Sequence, residues 1–70
     1  MVTSEYRVDG MSCGHCEAAV KDEVGRLLGV QRVDISAATG KLVITSSIPI
    51  DAAAVLGAVD EAGYEAVLVA

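Results

Sequence analysis

Apolar and polar residues alternate from Ser4 to Gly10, with Tyr6 and Val8 on one face and Glu5, Arg7 and Asp9 on the other. A period of two predicts a strand with one buried face. Gly10 to Gly14 breaks the alternation and reads as a loop. From Cys16 the spacing becomes helical: Cys16, Ala19, Val20, Val24, Leu27 and Leu28 form the apolar stripe, opposite Glu17, Lys21, Asp22 and Arg26. Gly29 is the expected stop, and Gly25 falls inside the helix, where close helix packing is one reason for a residue that costs about 1 kcal/mol against Ala. Val30, Val33 and Ile35 predict a second strand, Ala37 to Gly40 a turn, and Lys41 to Thr45 a third strand with Leu42 and Ile44 on one face. Ser46 to Ile50, with the single proline Pro49, is a connection. Asp51 is a suitable N-cap for a second helix with the stripe Ala52, Val55, Leu56 and Val59. Gly63 ends that helix, and Tyr64 to Val69 reads as the last strand.

The order strand–helix–strand–strand–helix–strand predicts the α+β, ferredoxin-like βαββαβ sandwich: a four-stranded antiparallel sheet with two helices on one face. Residues 1–70 read as a single domain, with no linker or low-complexity run. Such a fold hosts many functions, so function must come from a site.

Composition narrows the field. A chain of 70 residues buries only about 60% of its unfolded surface. Its two cysteines are too close in sequence for a bridge to restrain much of the chain. Apolar packing must therefore hold the fold, and the hydrophobic content of 53% supplies it without any Trp or Phe. The net charge of −5 argues against nucleic acid and against an anionic membrane surface. It fits either a basic protein partner or plain solubility. No apolar run approaches a membrane-spanning length, and Met1-Val2-Thr3-Ser4-Glu5 lacks the regions of a signal peptide. The expected location is the cytoplasm, where close cysteines mean metal or redox chemistry.

That chemistry centres on Gly10-Met11-Ser12-Cys13-Gly14-His15-Cys16. Cys13 and Cys16, spaced Cys-x-x-Cys at a helix start, can turn their sulfurs toward one ion, and the helix N-terminus favours the thiolate form that ligates. Structural zinc wants four ligands, whereas the chain offers two cysteines and one histidine, His15, awkwardly placed between them. Two soft thiolates with nothing hard beside them select Cu(I). Two ligands also leave coordination positions open, so an incoming thiolate can bind before the first one leaves. Met11 reads as a filler of irregular space. His15 reads either as a solvated loop residue or as a tuner of the thiolates.

The segment Gly10 to Cys16 resembles the Met-x-Cys-x-x-Cys loop of heavy-metal-associated domains, a family that includes CopZ-type copper chaperones and the N-terminal domains of copper-transporting P-type ATPases. The resemblance covers the whole chain: the loop sits in the family's element order, and Gly63-Tyr64 matches a motif of the bacterial members. It implies a non-enzymatic copper chaperone, with Cys13 and Cys16 as ligands of Cu(I) and delivery to a copper-transporting P-type ATPase. It further implies that Met11 is buried beneath the loop and that Tyr64 neighbours it. His15 departs from the commoner small or hydroxyl residue. A copper-bridged homodimer also follows from the open coordination positions, and an excised ATPase domain would carry the same features.

A thiol-disulfide oxidoreductase is the rival from another class, since Cys-Gly-His-Cys also occurs in disulfide isomerases. Those enzymes usually place Trp before the first cysteine, where this chain has Ser12. They also lead a cis-proline into a strand, whereas the Ile48-Pro49 step runs toward the helix expected from Asp51. The motif is present and its context is not.

Overall fold

The computed structural model describes residues 1–11 and 14–69, with Gly14 and His15 described through their helical backbone. The elements follow the expected order: β1 (Val2–Asp9), α1 (Gly14–Gly25), β2 (Val30–Ser36), β3 (Lys41–Ser46), α2 (Ala52–Glu61) and β4 (Glu65–Leu68). Their sheet runs β2-β3-β1-β4, and every pairing is antiparallel. The fold is the ferredoxin-like α+β sandwich.

The alternation in β1 becomes its two faces. Tyr6 and Val8 are buried with Leu42 and Ile44 of β3 and Val33 of β2. Val20 and Val24 of α1 and Val55, Ala58 and Val59 of α2 complete the same core, so both helices lie on one face of the sheet. Glu5, Arg7 and Asp9 point to the other, open face. Asp51 caps α2 through its carboxylate, which accepts from Ala53 N–H at 3.1 Å and satisfies one of the helix's orphan donors.

Three details differ from the pattern. Gly25 ends α1 instead of lying within it, and a side chain there would meet nothing within 4 Å, so close packing is not its reason. Beyond it the chain tightens, Leu27 N–H reaching back to Val24 O at 3.1 Å. Leu28 therefore leaves the helical stripe and is 87% exposed. In α2 the stripe turns by a residue: Ala58 is buried in place of Leu56, which is exposed.

The two sheet edges are unlike. Edge strand β2 carries an irregularity between Val30 and Arg32, and the exposed pair Arg32 and Asp34 lies along it at 2.9 Å. Such features discourage pairing with another chain. Edge strand β4 is four residues long, and Val67, Leu68 and the adjoining Val69 are all more than half exposed.

Candidate metal centre

The end of β1 and the head of α1, between which the Cys-x-x-Cys segment runs in sequence, lie at one end of the sandwich with the turn Ala37–Gly40 between β2 and β3 and the step from α2 into β4. β1 delivers the chain firmly to the loop. Val8 is buried, and its N–H donates to Gly40 O at 2.7 Å. Gly10 follows with φ +90, and the Tyr64 ring stands against it: Cδ1 lies 3.5 Å from where a Cβ on Gly10 would sit. Tyr64 is thus brought beside the loop by the step from α2 into β4, whose Glu65 pairs with Asp9.

Met11 is half-buried and packs against the core cluster, as a gap-filling thioether does. Cys16 stands in the first turn of α1 and is buried, 7% exposed. Cys13 and the side chain of His15 lie outside the described residues. Asp9 projects to the open face of the sheet, away from the buried side on which Cys16 sits. Among the described residues, no three His, Cys, Asp or Glu side chains gather as a metal cluster.

One contact at this end is invisible in the periodicity. Glu17, assigned by its spacing to the solvated face, is half-buried, and its Oε2 accepts from Ala37 N–H at 2.6 Å. The partners are separated by twenty residues, and no local pattern links a first-turn glutamate to a remote turn. Deeper in the sandwich, burial and then the nearby Asp51 carboxylate push the Tyr6 phenol above its ordinary value.

Among the described residues, no helix is long and apolar enough to cross a membrane.

Comparison with known proteins agrees with this geometry. The copper chaperone CopZ of Enterococcus hirae is 36% identical over 63 residues, spanning 89% of this chain and 91% of that protein. The copper-exporting P-type ATPase of Mycobacterium tuberculosis is 39% identical over 62 residues, which cover 89% of this chain but 8% of the ATPase. Among solved structures, a CopZ metallochaperone superposes with a TM-score of 0.87 at 27% identity, covering 94% of this chain and 100% of its own. The model of the heavy-metal-associated domain matches residues 5–65, and the chain belongs to the heavy-metal-associated domain family.

Proposed function

We propose that this protein is a copper chaperone that holds Cu(I) between Cys13 and Cys16 and passes it to a copper-transporting P-type ATPase in the cytoplasm. The observation that carries the reading is the setting of Cys16: a buried thiol in the first turn of α1, three residues after Cys13 in a loop flanked by Met11 and Tyr64. Near-complete overlap with the CopZ chaperone of E. hirae supports it, since that relative is itself a single small protein. Two thiolates bind a soft ion while leaving room for a third, so a partner's thiolate can enter before a bond breaks. The protein's role is binding and transfer, not turnover. The same open positions allow a copper-bridged homodimer, in which His15, between the two cysteines in sequence, offers a nitrogen donor for an added ion. Identity with the mycobacterial ATPase favours one second reading, in which the same site serves as an ATPase's own receiving domain.

Charge supports a basic partner. The helical layer with its flanks holds Glu17, Asp22, Glu23, Asp51, Asp60 and Glu61 against only Lys21 and Arg26. Association with a basic surface should slow as salt rises, because screening at 0.1 M shortens the field to about 10 Å.

The decisive experiment replaces each thiol by a harder donor. Cys13→Ser and Cys16→Ser should each abolish Cu(I) retention against a competing chelator, while far-ultraviolet circular dichroism stays that of the wild type. Retention unchanged in either variant would remove the two-thiolate site.

A further inference from the structure

We propose that the Ala37–Gly40 turn is a brace that fixes the span of the Cys-x-x-Cys loop, with Glu17 as its positioning residue. The proposal rests on the reading of Cys13 and Cys16 as the metal-binding thiolates.

The loop has two ends, and the same turn holds both. At the entry, Val8 N–H donates to Gly40 O at 2.7 Å, one step beyond the last β1–β3 register pair, Arg7 with Lys41. At the exit, Ala37 N–H donates to Glu17 Oε2 at 2.6 Å. The turn is itself closed by Gly40 N–H donating to Ser36 O at 2.8 Å. A short chain of hydrogen bonds therefore runs from Val8 to Glu17 without passing through the loop.

This arrangement constrains the head of α1, where Cys16 stands. Glu17 follows Cys16 directly and shares its helical turn, so anchoring the carboxylate limits how far the head of α1 can rotate or lift from the sheet. Val8 is fixed in the core, so the entry cannot drift to compensate. A two-coordinate ion needs its two sulfurs at one separation, and a binding constellation loosened by a fraction of an ångström loses affinity although every ligand remains. The acceptor is a carboxylate on a half-buried side chain, which makes the stronger kind of hydrogen bond to a backbone N–H. Glutamine can offer a neutral oxygen at the same reach, whereas alanine offers none.

The test compares Glu17→Ala with Glu17→Gln in the reduced full chain. In the apo protein, amide hydrogen exchange at Ala37 should accelerate in Glu17→Ala and stay near wild type in Glu17→Gln. In the Cu(I)-loaded protein, loss of copper to a competing chelator should be about tenfold faster in Glu17→Ala, the lower end of what supporting contacts around metal ligands are worth. Glu17→Gln should restore most of that difference, and the melting temperatures of the apo variants should lie close together. Equal loss rates in wild type and Glu17→Ala overturn the brace. Failure of Glu17→Gln to rescue does so too, because charge and not the bond would then be responsible. If the wild type itself retains no Cu(I), the two-thiolate reading falls. The exchange arm then decides the brace alone, and an Ala37 amide indifferent to Glu17→Ala overturns it.

Discussion

The two ends of the sandwich are built differently. At the end away from the loop, the chain closes by packing and short-range bonds. Buried Ser46 donates through Oγ to Ile48 O at 2.7 Å, Ser47 N–H donates to Gly29 O at 2.9 Å, and the Ile48 side chain lies over Gly29. At the loop end, one carboxylate and one turn reach across the fold to tie the end of β1 to the head of α1. The first end secures the domain, and the second secures a distance within it. Changes at the far end should therefore be read in stability alone, whereas changes at the loop end should be read in copper as well.

The two glycines at these ends give the sharpest contrast. Gly40 has φ +71, and a Cβ there would stand 2.9 Å from the Val8 carbonyl oxygen, which the core holds in place. Gly40→Ala combines left-handed strain with a backbone clash and should cost about 3 kcal/mol. It should also speed Cu(I) loss, because it strikes the brace; chemical denaturation and chelator competition on one sample would measure both. Gly29 has φ +90, but its Cβ would meet the Ile48 side chain, which is 47% exposed and can turn aside. Gly29→Ala should cost about 1–2 kcal/mol with copper retention unchanged. Faster copper loss in that variant would erase the distinction between the ends.

A smaller effect belongs to Asp51, which caps α2 at the far end. Asp51→Ala should lower stability by about 1 kcal/mol, again without touching copper. The smallest effect is a pH dependence. The Tyr6 phenol is raised above its usual value by burial first and Asp51 second. The folded state thus holds this proton more tightly than the unfolded one. Its contribution is complete below the unfolded value near 10 and is lost as pH rises through the folded value. Stability should decline in alkaline solution, and Tyr6→Phe should flatten that decline; parallel slopes for the two proteins would rule out Tyr6 as the source.

Most of the fold could be read from local pattern because its elements are local in origin. Tyr6 and Val8, Leu42 and Ile44, and Val55 and Val59 repeat at the period of their own element, and the fold class followed from the succession of elements. The misreadings fell at boundaries. Leu28 continued a helical stripe that the chain had already abandoned at Gly25, and Leu56 lost its place to Ala58 once α2 settled its rotation against the sheet. At the loop, the helical spacing from Cys16 already put that residue on the apolar stripe, and its burial follows. The expectation that Tyr64 neighbours the loop came from the family resemblance and not from any local pattern, and its ring does stand against Gly10. Glu17 was not, since its partner is a backbone N–H twenty residues away, and periodicity carries no trace of a bond between a side chain and a distant turn.

The placement of the two tyrosines has an optical consequence. The chain has no tryptophan, so its near-ultraviolet absorption and emission come mainly from Tyr6 and Tyr64. One ring is sealed in the core, while the other lies against Gly10 at the mouth of the loop. The protein thus carries two chromophores in separate surroundings, one sensing whether the interior is assembled and the other sensing what occupies the loop. An ion bound there would perturb Tyr64 first, so loading could be followed through tyrosine emission without any label.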